Sequence, residues 1–146
     1  MKADSNNSEK TPEAPQKRRP SVLLLDDDID LCEALKATLE EQGYEVTAVH
    51  RGLEGVRTIV TRDYDVIVCD MMMPTMPGDM FYFAVQRLKP HLCSRFIFIT
   101  GHQGTPKVDA FLSSVAARTL YKPLTIKKLL ASIAETESLK KAPAHH

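Results

Sequence analysis

Five strand-length apolar runs, each separated from the next by a segment of helical spacing, constrain this chain more than any other feature. Ser21 to Leu25, Glu45 to Val49, Asp65 to Cys69, Arg95 to Ile99 and Arg118 to Tyr121 are rich in β-branched, aliphatic or aromatic side chains and have the length of strands. Between the first two, Leu31, Cys32, Leu35 and Leu39 share a helical face, and Gly43 is placed to end that helix. A second helix is predicted over 53–61 and a third over 79–88, where Pro90 supplies a stop. Pro106 suits the opening of a fourth helix that runs to about Ser114. Thr125 can cap a fifth, whose Ile126, Leu129, Leu130 and Ile133 form a stripe that leaves Lys127 and Lys128 in water.

Strands that alternate with helices call for a parallel sheet covered on both faces, because each crossover lays its helix on one of them. The runs Val22-Leu23-Leu24-Leu25 and Val66-Ile67-Val68 lack polar alternation, which suits strands buried on both sides. The expected fold class is α/β, a doubly wound parallel sheet of five strands. With 146 residues, 43% of them hydrophobic, the chain has material for one domain. That domain is predicted over 21–137. Residues 1–20 hold Pro12, Pro15 and Pro20 with almost no apolar side chains and are expected to form a disordered tail; 138–146 are expected to form a flexible one. Lys17-Arg18-Arg19 reads as a solvated basic patch at the boundary.

Nineteen basic and nineteen acidic residues cancel, so there is no global field of the kind that draws a protein onto nucleic acid or an anionic membrane. Neither is expected as a partner. Cys32, Cys69 and Cys93 lack the paired spacing of a zinc site and read as reduced thiols. No apolar run approaches membrane-spanning length and the polar N-terminus lacks a signal-peptide core, so a cytoplasmic location is expected.

In this fold class the ligand crevice lies outside the carboxyl ends of the strands, near the point where strand order reverses. The first run is followed by Asp26-Asp27-Asp28, the second by His50, the third by Asp70, the fourth by Thr100-Gly101 and the fifth by Lys122-Pro123. One edge of the sheet therefore collects carboxylates, a hydroxyl and an ammonium. Crowded carboxylates raise one another's proton affinity unless a cation neutralises them. At about 4 Å a like-charged pair costs on the order of 4 kcal/mol at an effective dielectric of 20. Mg²⁺, bound by oxygens and retained waters, resolves that conflict. Thr100 and Lys122 would then offer a hydrogen bond and a positive charge to a phosphoryl group. Asp28 and Asp30 suit the first turn of a helix, and Cys69 should face away from Asp70 into the core. The methionines around Asp70 read as adaptable packing.

The segments LLLDDD, VIVCD followed by MMP and PG, FIFITG and YKP, in this order and spacing, resemble the receiver domains of bacterial response regulators and hybrid sensor kinases. The likeness spans roughly residues 21–137. It implies a flavodoxin-like (βα)5 fold with strand order 2-1-3-4-5. It further implies that Asp70 accepts a phosphoryl group from the phosphohistidine of a sensor histidine kinase or a histidine phosphotransfer protein. Asp27 would bind Mg²⁺ directly and Asp26 mainly through water, with Asp70 and the backbone carbonyl of Met72 as further ligands. Thr100 would take up a phosphoryl oxygen, Lys122 would pair with the phosphate, and Pro123 would follow a cis bond. Such a domain is not an enzyme on an external substrate but assists its own phosphorylation and dephosphorylation. The switch would be felt on the face of the fourth helix, fifth strand and fifth helix, towards an unidentified downstream target, in a monomer or a phosphorylation-dependent dimer.

Some positions depart from the pattern this resemblance implies. Thr119 stands where an aromatic is usual, with Tyr121 nearby as a candidate substitute. Met72 and His102 occupy positions that tune acyl-phosphate hydrolysis, which implies a moderate phosphate lifetime with a pH dependence from His102. The chain ends soon after the fifth helix, as expected of a single-domain regulator or of a piece of a longer protein. Two rival readings of Asp26 to Asp30 fit less well. A haloacid-dehalogenase-like phosphatase would carry the phosphate on Asp26 but wants Thr or Val at Asp30 and a longer chain. An EF-hand needs Gly and Glu where Leu31 and Ala37 stand. A receiver-like module that never sees phosphate is disfavoured by the complete set of acids, Thr100 and Lys122.

Overall fold

The computed structural model describes residues 18–101 and 105–141. Its elements are β1 (Ser21–Leu25), α1 (Ile29–Glu41), β2 (Glu45–Val49), α2 (Gly52–Thr61), β3 (Val66–Asp70), α3 (Gly78–Leu88), a 3-10 turn (Pro90–Arg95), β4 (Phe96–Thr100), α4 (Pro106–Ser114), β5 (Arg118–Tyr121) and α5 (Ile126–Lys141). The strands form one parallel sheet in the order β2-β1-β3-β4-β5. This is the expected doubly wound, flavodoxin-like topology, and strand order reverses between β1 and β3.

The pleat divides the core into two halves, since successive side chains of a strand point to opposite faces. Leu23, Leu25, Ile67, Cys69, Phe96 and Phe98 pack on one face with Ile59 of α2, Phe81 of α3 and Phe111 of α4. Val22, Leu24, Val66, Val68, Ile97 and Ile99 pack on the other with Cys32 and Leu39 of α1 and Leu129 and Ile133 of α5. Every residue of β1, β3 and β4 is buried, which accounts for their unbroken apolar reading.

Local chemistry sets the helix ends. Asp28 caps α1, its carboxylate accepting from Leu31 N at 3.1 Å. Gly43 follows α1 at φ +98°, a left-handed conformation open to glycine at little cost. Thr125 caps α5 through Lys128 N at 3.2 Å. At the far end of the sheet from the crevice, Asp65 Oδ2 accepts from Ser21 N at 2.8 Å and Ser21 Oγ at 3.2 Å, and Asp65 N donates back to Ser21 O and Oγ, each at 3.0 Å. This buried clamp holds the starts of β1 and β3 together, so their acidic ends emerge side by side.

Several boundaries differ from expectation. β3 and β4 each begin and end one residue later than predicted, which makes Asp70 and Thr100 terminal strand residues. The bonds Met71 N to Ile99 O (2.9 Å) and Lys122 N to Thr100 O (2.9 Å) extend the ladders that far. α5 continues to Lys141, past the predicted end of the domain at 137, because no proline stands before Pro143 to stop it. Ile126, the first residue of α5, is exposed and does not join the buried part of the predicted stripe. Order begins before residue 21: the Pro20 carbonyl accepts from Glu45 N at 2.8 Å. The rest of the two predicted tails, 1–17 and 142–146, lies outside the described residues. No helix among the described residues is long and apolar enough to cross a membrane.

Candidate functional site

The crevice at the carboxyl ends of β1 and β3 brings Asp26, Asp27 and Asp70 together, with one carboxylate oxygen of each within 4.8 Å of the others. Asp26 follows β1 and Asp70 ends β3; the two strands are neighbours, and both acids are buried while Asp27 is exposed. Lys122 reaches over the end of β4 to place Nζ 3.7 Å from Asp70 Oδ2. Backbone amides complete the frame: Asp28 N donates to Asp26 Oδ1 at 2.9 Å, and Met72 N donates to Asp70 Oδ1 at 3.1 Å. Met72 lies beside the nucleophile candidate with an exposed side chain. Thr100 is completely buried, and its carbonyl accepts from Lys122 N, so the ends of β4 and β5 are tied together.

The turn after Asp70 is drawn tight by Gly78. Its amide donates to Met71 O at 3.1 Å, and a Cβ there would stand 2.9 Å from the Asp70 carbonyl oxygen and 3.0 Å from Met71 Cα. Any side chain would push α3 away from the end of β3. Met71 and Met73 are buried in the core, consistent with their reading as packing residues. Cys69, fully buried on the face opposite Asp70, has its thiol pushed well up by burial.

Burial is also the main cause that raises the Asp26 carboxyl, to about 6; Asp70 adds to it, while the Asp28 amide and Lys122 oppose it. Asp70 is raised as well, again chiefly by burial, against the Met72 amide and Lys122. Two buried carboxylates held up in this way form a site short of positive charge. Three converging carboxylates are a hard, all-oxygen donor set, which fits Mg²⁺.

A pH dependence follows. An acid whose folded-state pKa lies above its unfolded value binds more protons when folded, so stability rises as pH falls between those two values. With chelator present, the unfolding temperature is expected to rise from about pH 7 to about pH 5, the side of the window that Asp26 governs. Added Mg²⁺ should flatten or reverse that trend, because the cation competes for the same carboxylates. Differential scanning calorimetry at matched ionic strength checks it.

Other sequence readings are resolved by position. Thr119 is half-buried and registered with Phe98, whereas Tyr121 is registered with Thr100 and exposed. Tyr121 is thus the aromatic next to Thr100 on the same face of the sheet. His102 lies outside the described residues. The Lys122–Pro123 peptide is cis, as expected. Sequence reasoning noted His50 only as the residue that ends the second run, yet its ring bonds the Asp26 carbonyl. A polar residue at the end of the strand beside β1 was the only signal available.

Residues 22–134 match the family model described as the response regulator receiver domain. Among curated proteins, the C4-dicarboxylate transport transcriptional regulatory protein DctD of Rhizobium meliloti is 30% identical over 118 residues, covering 81% of this chain. The chain spans only about a quarter of the length of the curated relatives it matches, 25% of DctD. Among solved structures, the receiver domain of a Francisella response regulator superposes with a TM-score of 0.75 at 29% identity, covering 84% of this chain and 99% of the other. The receiver domain of a sensor histidine kinase from Pseudomonas aeruginosa, described with a magnesium ion coordinated in its active-site cleft, gives a TM-score of 0.74 at 21% identity, with 83% and 99% covered.

Proposed function

The chain belongs to the response regulator receiver domain family, and from that premise we propose that it is a phosphorylatable signalling domain whose acceptor is Asp70. The observation that carries this reading is the meeting of Asp26, Asp27 and Asp70 within 4.8 Å, with Lys122 at 3.7 Å from Asp70. An Asp70 carboxylate oxygen attacks the phosphorus of a phosphohistidine on a sensor histidine kinase or a histidine phosphotransfer protein. The O–P bond forms, the N–P bond breaks, and the imidazole nitrogen leaves with the electron pair of that bond. The product is an acyl phosphate on Asp70.

This chain's residues divide the task. Asp26, Asp27, Asp70 and the Met72 carbonyl would hold Mg²⁺, which supplies charge neutralisation to the phosphoryl oxygens when bound. The Met72 amide keeps one oxygen of Asp70 oriented and leaves the other facing Lys122. Lys122 balances negative charge that grows on the transferred group. Thr100, buried at the neighbouring strand end, would take up a phosphoryl oxygen after transfer. The added charge, about −1.5 to −2, would draw on the β4 and β5 ends that Thr100 and Lys122 already join. The face of α4, β5 and α5 is then the surface offered to a downstream partner. No external substrate is turned over; the domain assists its own phosphorylation and dephosphorylation.

The test is incubation with Mg²⁺ and acetyl phosphate followed by peptide mass mapping after hydride trapping of the acyl phosphate. Label is expected on Asp70, and a chelator should abolish it. Label on Asp26 would favour the phosphatase-like chemistry instead, and no label at all would overturn the phosphoacceptor reading.

A further inference from the structure

The peptide that joins Asp26 to Asp27 is held through its carbonyl, and the residues on either side of it are held as well. Asp26 N donates to Val49 O at 3.2 Å, and Asp28 N donates to the Asp26 carboxylate. The Asp26 carbonyl accepts from two side chains, His50 Nδ1 at 3.2 Å and Cys32 Sγ at 3.4 Å. A carbonyl has no proton to give, so the hydrogen in the first of these contacts sits on Nδ1 of the imidazole. The backbone beside the ring is held as well: the His50 amide N donates to Glu54 Oε1 at 3.2 Å, and the half-buried His50 lines, with Asp27, a cleft of about 270 Å³.

We propose that His50 is a positioning residue for the divalent-cation site, its ring N–H fixing the peptide plane that sets where Asp27 points relative to Asp26. The inference rests on the reading of the three carboxylates as the cation site. Rotation of that plane swings Asp27, the exposed member of the trio, and mutual repulsion of three carboxylates within 4.8 Å favours an outward swing. A thiol is a weak donor, so of the two bonds to the Asp26 carbonyl the imidazole supplies the firmer restraint. Groups behind the ligands that hold them in place are a general determinant of metal affinity. His50 does so through the backbone, without touching the cation.

The experiment is isothermal titration of the unphosphorylated full chain with Mg²⁺, together with amide shifts of Asp26 and Asp27. His50→Ala removes the donor, His50→Leu removes it while filling the space, and His50→Asn returns an amide N–H at the position of Nδ1. Loss of one such bond is expected to weaken Mg²⁺ binding about fivefold in the Ala and Leu variants, with most of the affinity recovered in the Asn variant. The Asp26 and Asp27 amides should shift in the first two and stay near wild type in the third. Wild-type affinity in a folded Ala or Leu variant overturns the inference, as does an Asn variant as weak as Leu at equal thermal stability. A wild-type chain that fails to bind Mg²⁺ would instead overturn the cation reading on which the inference stands.

Discussion

Asp70→Asn is expected to reduce phosphoryl uptake from acetyl phosphate to background while raising the unfolding temperature in chelator. The first effect follows because the neutral amide oxygen is a poor nucleophile towards phosphorus. The second follows from the site's own electrostatics. Burial, before any other cause, raises the Asp70 carboxyl, so the fold favours a neutral group at this position. Asn supplies one with the same shape, and its oxygen can still accept from Met72 N. Relief from burying the charge and from the neighbouring Asp27 carboxylate is opposed by the lost attraction of Lys122, and because burial is the largest of these effects the unfolding temperature should rise. Excess Mg²⁺ should reverse the ranking. At a hundredfold its dissociation constant the cation stabilises the wild type by about 2.7 kcal/mol and the variant by less. Calorimetry in chelator and in Mg²⁺ reads the crossing. A variant less stable than wild type in both conditions would show that the three acids are not in conflict.

Phe81→Ala carries the largest expected loss of stability. Phe81 is fully buried in α3, where its ring packs against Phe96 at 5.8 Å between centroids and lies over Gly55 of α2, so close that a Cβ there would meet the ring edge at 2.9 Å. Little can move in to fill the void, because the neighbours are ring, backbone and sheet. The truncation should cost about 3–5 kcal/mol, the range for a large buried aromatic in a core that relaxes only in part. Against a typical total of 5–15 kcal/mol, much of the domain's stability is at stake. Urea unfolding followed by far-UV circular dichroism should show a lower midpoint with an unchanged slope. The loss should reach the site as well, since α3 begins at Gly78 against the Asp70 carbonyl.

The order of elements, and the groups they carry to one edge, could be read before any coordinates. Unbroken apolar runs, helix caps such as Asp28 and Thr125, and punctuation by Gly43 and Pro106 are local signals, and each acted as its chemistry requires. What escaped depended on neighbours distant in the chain. Asp70 and Thr100 looked like the first residues of loops, because polarity marks a strand's end, yet adjacent strands extend the ladders through them. The turn at Pro90–Arg95 gave no periodic signal; its Leu92 is buried through tertiary packing. His50 went unassigned because its ring meets a backbone atom 24 positions earlier in the chain, a relation that no spacing rule encodes.

The one-residue shift of β3 and β4, which makes Asp70 and Thr100 strand residues, bears on how a chemical event at Asp70 would be felt elsewhere. A phosphoryl group attached to a loop would spend its pull on the loop's own compliance. Under the proposed phosphorylation, a group on the last rung of a ladder whose opposite end is clamped by Asp65 and Ser21 would load a stiff beam, and the strain would appear where the beam has give. That place is the junction of Thr100 with Lys122 and Tyr121 at the shorter, less buried edge strand. In the proposed switch the sheet would then be the fixed arm of the device and its β5 margin the moving one.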